Sequence, residues 1–279
     1  MNKKLPKILA VLVNYGTEQI PYLEQVVKGL KEFTKYQVTI IVNSNIDLNI
    51  DGVDNVNVFK LDDYQFLPLT CRTIIWNNKD FYDIFVYGEN DLLFEEKHID
   101  NHLIYSKVLP KNRISGLLRF EENAIGKFYP DYHADFEWDF NSVEIYGGKK
   151  FAHFTNLHQA TFILTKEQLE SIGKKINFNE LCKDSVGRFI ELARRKIVVR
   201  KGLKLQRRNL YIETYSEKCR VNTDVFKFGG KKKMICITDF DQNLIHHLPN
   251  LYINGLKERN KLRSDEIRMT NSLNRLLHL

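Results

Sequence analysis

Two apolar runs with a helix-period segment between them constrain this chain more than anything else in it. Residues 8–13 and 38–42 are short, continuous aliphatic stretches that read as buried strands and are far below the length of a membrane span. Between them Leu23, Val26, Val27, Leu30 and Phe33 recur on one helix face, with Pro21 where a first turn tolerates it. Strand, helix and strand with short connections predict a βαβ unit closing as a right-handed parallel crossover. Residues 56–61 predict a third short strand. Residues 67–77 predict a helix with Cys71, Ile74 and Ile75 inward, and residues 83–87 a further strand.

That last strand runs through Gly88 into Glu89, Asn90 and Asp91. Two carboxylates one residue apart at the end of a buried strand reach a common point if the chain turns between them. Mg²⁺ and Mn²⁺ prefer oxygen ligands and need few protein groups when substrate phosphates supply the rest. A plain turn is the alternative, since Gly, Asn and Asp are ordinary turn formers. In open α/β sheets ligands bind beyond the carboxyl ends of the strands. Polar clusters stand at three such ends here: Asn14 and Tyr15, Asn43 to Asn45, and Glu89 to Asp91. No GxGxxG follows the first strand and no GxxxxGK[ST] occurs, which counts against a dinucleotide fold and a P-loop enzyme.

The second half changes character. Residues 97–108 predict a helix, and residues 114–120 a strand. Residues 121–150, rich in Gly, Tyr, Asp and Glu, predict loops and short strands forming a pocket wall or lid. Residues 160–164 predict a strand, and Thr165 with Gln168 a capping box that opens a helix through Ile172. A helix over 184–196, strands at 197–199 and 210–213, and a terminal helix capped by Ser264 complete the pattern. The apolar face of that last helix is expected to carry Ile267, Leu273, Leu276 and Leu277. The aromatic residues Phe128, Tyr129, Tyr132, Phe136 and Trp138 fit either a sugar-stacking surface or a small satellite core. With no Pro/Gly/Ser-rich linker and no repeat, the expectation is one α/β domain. It has a mostly parallel, Rossmann-like central sheet, a nucleotide-binding half (1–110), an irregular acceptor-binding half (111–255) and a C-terminal helix (256–279).

The net charge of +7 is local. Residues 194–208 hold eight basic residues and no acidic one, and removing eight from +7 leaves −1. Such a segment suits phosphates, an acidic acceptor or an anionic membrane face, or is simply a solvated surface. It lacks the interleaved aromatics of a single-strand nucleic-acid platform, so no nucleic-acid partner is expected. The basic N-terminus leads into the first strand and not into a secretory signal. Cys71, Cys182, Cys219 and Cys236 are scattered with no CxxC pair, which suits reduced thiols in the cytoplasm, with 194–208 allowing peripheral contact at the inner membrane face.

Residues 82–91, then 116–121 and 158–164, in that order and spacing, resemble poorly characterised proteins of the GT-A class of nucleotide-sugar-dependent glycosyltransferases. The resemblance covers most of the first 170 residues and thins afterwards. Glu89-Asn90-Asp91 would stand for the acidic signature of that fold, with Glu in place of the first Asp. The resemblance implies a Mn²⁺- or Mg²⁺-dependent transferase of polysaccharide biosynthesis that uses a nucleoside-diphosphate sugar, UDP-sugar first, and a glycan or lipid-linked acceptor. Asn14 and Tyr15 would lie beside base and ribose, Asn43 and Asn45 at the base, and Arg72 near the phosphates. Asp91 would bind the metal, Glu89 the metal or a ribose hydroxyl. A C-terminal His would complete the metal set, His247 before His246.

Transfer requires a stabilised leaving diphosphate and, in an inverting enzyme, a carboxylate that takes the acceptor's proton. Asp184 is one candidate base, with a helix N-cap as its structural alternative. Glu121 and Glu122 are the others, with plain surface acids as theirs. His158 lines the sugar pocket or is a hydrogen-bonded structural residue. Two other classes share the pattern: a nucleotidyltransferase acting on sugar phosphates, which lacks its Gly-rich triphosphate loop here, and a non-catalytic nucleotide- or glycan-binding module.

Overall fold

The computed structural model describes residues 4–124, 126–183, 215–254 and 266–279. The first βαβ unit forms as the pattern predicts. Strand β1 (Lys7–Asn14), helix α1 (Ile20–Lys31) and strand β2 (Gln37–Ser44) are followed by β3 (Asn55–Val58), α2 (Leu67–Asn77) and β4 (Ile84–Glu89). β1 pairs in parallel with both β2 and β4, so Val11 lies between Ile41 and Tyr87. With β3 parallel at one edge and β11 (Thr161–Thr165) antiparallel at the other, the sheet order is β11-β4-β1-β2-β3. The molecule is mixed α/β with a mostly parallel main sheet.

Alternation along β1 builds two cores. Ile8, Ala10 and Leu12 face α1 and bury Leu23, Val26, Val27 and Leu30. Leu9, Val11 and Val13 face the other way, onto Leu67, Cys71 and Ile75 of α2. That second face is also covered by α4 (Lys166–Gly173) and α5 (Glu217–Lys227), through Leu169, Ile172, Val221 and Val225. Helix α4 starts on the expected capping box, with Thr165 and Gln168 bonding reciprocally.

The rest departs from expectation in three places. The single strand expected over 114–120 is two, β6 (Arg113–Ser115) and β7 (Leu118–Asn123), in different sheets. Between them Gly116 lets the Lys233 side chain pass, since a Cβ there would sit 2.4 Å from Lys233 Cγ. The stretch expected as loops and short strands contains the short β8 (Gly126–Phe128) but also the long hairpin β9 (Trp138–Tyr146) and β10 (Lys149–Phe154). Its turn is Gly147-Gly148, both at positive φ. The hairpin joins β6 and β12 (Lys232–Cys236) in one sheet. A second sheet runs β5-β13-β7-β8, with β5 (Leu92–Leu93) and β13 (Leu244–His247). Helix α3 (Glu96–Val108) packs against β6 and β11.

Tyr129, Tyr132, Phe136 and Trp138 are buried with Phe154, Phe240 and Met269, which makes the aromatic cluster a satellite core. The terminal helix α6 (Glu266–His278) buries Met269, Ser272 and Leu276, while Ile267 is 74% exposed, so its inner face is rotated from the one expected. The helix expected over 184–196, the strands at 197–199 and 210–213, the Ser264 cap, the base candidate Asp184 and the basic segment 194–208 all lie outside the described residues. Among the described residues no helix is long and apolar enough to cross a membrane.

Candidate active site

Gly88 sets the geometry at the end of β4. A Cβ on it would lie 2.7 Å from the Phe94 ring, which folds back over the strand. The chain therefore turns sharply between Glu89 and Leu92. Asn90 Nδ2 donates to Asn14 Oδ1 at 2.6 Å, tying the ends of β4 and β1. The β13 strand is docked alongside by a Leu248 N–H donating to Asp91 C=O at 2.9 Å.

This docking brings His247 to Asp91. Nε2 lies 3.3 Å from Asp91 Oδ2, and Nδ1 lies 2.6 Å from Glu121 Oε1. Glu121 is fully buried, and its other oxygen accepts the backbone N–H groups of Tyr252 and Ile253, both at 2.9 Å. Burial works to lower His247, but hydrogen bonds to Asp91 and Glu121 outweigh it and raise the imidazole to about 9. A cation that took this ring as a ligand would displace the Nε2 proton. Glu89 is raised to about 7, first by burial and then by the Asp91 charge. Alternation in β13 points His246 the other way, stacked on Phe120 with centroids 4.9 Å apart.

Asp91 Oδ1 is buried without a hydrogen-bond partner. A buried acceptor with no donor calls for a cation, a proton or a water. Next to it stands an imidazole whose far nitrogen is anchored on a second carboxylate, the outer-shell arrangement that orients metal-binding histidines. Among the described residues no group of three or more His, Cys, Asp or Glu side chains could hold a metal ion. Asp91 and His247 alone, 3.3 Å apart, would leave most of the coordination to substrate phosphates and water.

Beside this centre opens a cleft of about 870 Å³, within the range of small-molecule sites. Tyr15, Tyr64, Leu67 and Pro68 give its apolar wall, Glu89 and Asn90 its floor. Tyr15 is 62% exposed, its ring 5.3 Å from that of Tyr64. Ser216 and Lys218, at the start of α5, form the opposite side. Ser216 takes the N-cap position, but its hydroxyl makes no cap bond. Among the described residues Glu18, Asp62, Asp63 and Glu89 also line the cleft, and Lys218 is the one cation that does.

Three residues expected at the nucleotide are elsewhere. Arg72 is fully enclosed between α2 and α5, 3.7 Å from Asp224 and donating to the Asn177 carbonyl at 2.7 Å. The inward face of α2 simply includes it. Asn43 is buried, donating to Thr70 Oγ1 and accepting from Asn57 Nδ2. Asn45 accepts the Gly16 N–H at 2.7 Å and so closes the turn after β1. Glu121 is not free to act as a base, because both oxygens are committed. His158 makes its contacts with Asn222 and Cys219 and is not among the residues lining the cleft.

Sequence reasoning missed Tyr64, Ser216, Lys218 and Arg119. The order Ser216-Glu217-Lys218 is a helix-start signal that could have placed α5. Arg119 is buried with Nη2 and Nε donating to Asp131 Oδ1 at 2.6 and 3.0 Å, and its charge bears on both Glu89 and His247. An arginine in a strand gave no such hint. No protein-family model matches this chain, and no curated protein is detectably similar to it.

Proposed function

We propose that this chain is a metal-dependent glycosyltransferase of GT-A type, moving a sugar from a nucleoside diphosphate to a glycan or lipid-linked acceptor. The observation that carries the proposal is the Asp91–His247–Glu121 arrangement at the carboxyl end of a parallel strand, beside a cleft of donor size.

Each part has a role in that reading. Tyr15 and Tyr64 stack on the base, and the Asn14–Asn90 bond holds the two strand ends in register. Lys218 and the first N–H groups of α5 face the diphosphate, where a helix N-terminus favours anions. Asp91 and His247 would hold Mn²⁺ or Mg²⁺, which supplies Lewis-acid stabilisation of the leaving diphosphate when bound. Glu121 acts through His247: it fixes the ring so that Nε2 points at Asp91. Asp131 likewise holds the Arg119 guanidinium, whose charge bears on Glu89 and His247 and would suit negative charge developing on phosphate. With Glu121 committed, Asp184 is the base candidate of an inverting reaction.

Among the described residues carboxylates outnumber cations in the cleft, which favours this reading over metal-free nucleotide binding, because without a divalent cation they repel a diphosphate. A thermal-shift screen of nucleoside diphosphates with and without Mn²⁺ tests it. Stabilisation that needs both components is the expected result.

A further inference from the structure

A buried hydroxyl lies just beneath the floor of the cleft. Tyr87 precedes Glu89 by two residues on β4, so both side chains leave the same face of the strand. Across the parallel pair Val11 stands beside Tyr87 and Val13 beside Glu89, and Val13 and Glu89 line the cleft. Tyr87 is thus one pair below the floor. On the helix side Leu67 also lines the cleft, and Cys71, one turn further along α2, shares the core with Tyr87. The tyrosine is 1% exposed, its ring lies 5.2 Å from that of Phe162, and its backbone carbonyl accepts the Thr161 hydroxyl.

Tyr87 Oη finds no hydrogen-bond partner among the described residues. An orphaned buried hydroxyl costs stability that a phenylalanine filling the same space would not. Burial, and then the Glu89 carboxylate, hold the phenol proton on well above its usual range, so the group is a neutral O–H donor. The acceptor that follows it on the same face is Glu89. Asp91, with its own unpartnered Oδ1, flanks Glu89 on the other side. Two orphaned polar atoms therefore bracket one carboxylate of the cleft floor.

We propose that Tyr87 is a positioning residue for Glu89: its hydroxyl is unpaired in the ligand-free protein and donates to the Glu89 carboxylate when a nucleoside diphosphate and a divalent cation fill the cleft. The bond holds that carboxylate ionised and turned toward the ligand, and no proton is transferred. The liganded half of the proposal rests on the nucleotide reading of the cleft; the ligand-free half does not.

The test is Tyr87→Phe in the full chain, which removes one oxygen and keeps the ring. Without ligand its Tm should rise by about 2–4 °C. Its affinity for UDP or GDP with Mn²⁺, from calorimetric titration, should fall by roughly 10- to 100-fold, as for a lost hydrogen bond to a charged group. A hydroxyl that only supports the fold would lower the Tm, so the opposed signs separate positioning from structure. In a Glu89→Ala background, adding Tyr87→Phe should cost no further affinity. A ligand-free Tm that does not rise overturns the unpaired hydroxyl. Unchanged affinity, or a loss undiminished in the Glu89→Ala background, overturns its donation to Glu89. If wild type binds neither UDP nor GDP with Mn²⁺, the cleft reading fails and takes the liganded half with it, while the ligand-free Tm still decides the other half.

Discussion

His247 bridges two carboxylates, with Nε2 3.3 Å from Asp91 and Nδ1 2.6 Å from Glu121. One of these carboxylates has an oxygen without a donor; the other is fully committed. That asymmetry divides their roles. Asp91 is the group available to a cation, and Glu121 is the group that aims the imidazole. Glu121→Gln should keep the fold but weaken Mn²⁺-dependent turnover or Mn²⁺ affinity by about 10- to 100-fold, as outer-shell substitutions do. A Mn²⁺ titration of sugar-nucleotide hydrolysis checks this, and an unchanged midpoint would count against the relay.

The Tyr15–Tyr64 pair should set affinity for the base. Tyr15→Ala is expected to cost about 1–3 kcal/mol in nucleotide binding, and Tyr15→Phe much less, because the ring face and not the hydroxyl makes the contact. Calorimetric titration of both variants separates stacking from hydrogen bonding. Equal losses would contradict it.

Gly88 should tolerate no side chain while Phe94 is present. A Cβ at 2.7 Å from the ring forces overpacking, worth about 1–3 kcal/mol. Gly88→Ala should lower Tm, and adding Phe94→Leu should recover part of the loss. Strictly additive effects would mean that the two positions are not in contact.

Acid should destabilise the fold through two buried histidines and one half-buried one. His98 accepts the Glu95 N–H at Nδ1 and meets the Leu244 carbonyl at Nε2, and His102 lies between Ser115 and Gln168. Burial lowers both, and His153, from 6.5 to about 4. The unfolded chain takes up these protons as pH falls below 6.5, while the native state does not until about pH 4. Stability is therefore fully present above pH 6.5 and is lost across that window, by on the order of 3 kcal/mol for each of His98 and His102. Urea midpoints measured from pH 7 to 4.5 should fall steadily. A flat profile would contradict the neutral assignments.

The parallel half of the molecule was legible because its apolar runs and helix face have clean periods, and β1 alone shows both cores in its alternation. The turn after β4 and the Thr165 capping box were legible for the same local reason. Arg72 was set near the phosphates by the resemblance alone, and its helix face could not be read locally because its partner Asp224 is more than a hundred residues away. The β9–β10 hairpin was hidden because Asp139, Asn141 and Glu144 interrupt its apolar pattern, although Gly147-Gly148 marked its turn. Glu121 was read as a free base because nothing local shows the two backbone N–H groups and the imidazole that occupy it.

The central claim is that Asp91 holds the cation that lets this cleft accept a nucleoside diphosphate. The most direct measurement is the thermal shift produced by UDP or GDP with Mn²⁺, on wild type and on Asp91→Asn. The account predicts a shift in wild type that disappears with EDTA and in Asp91→Asn, whose own Tm stays close to that of wild type. A shift of equal size in the variant, or none in wild type with any nucleoside diphosphate, would contradict it.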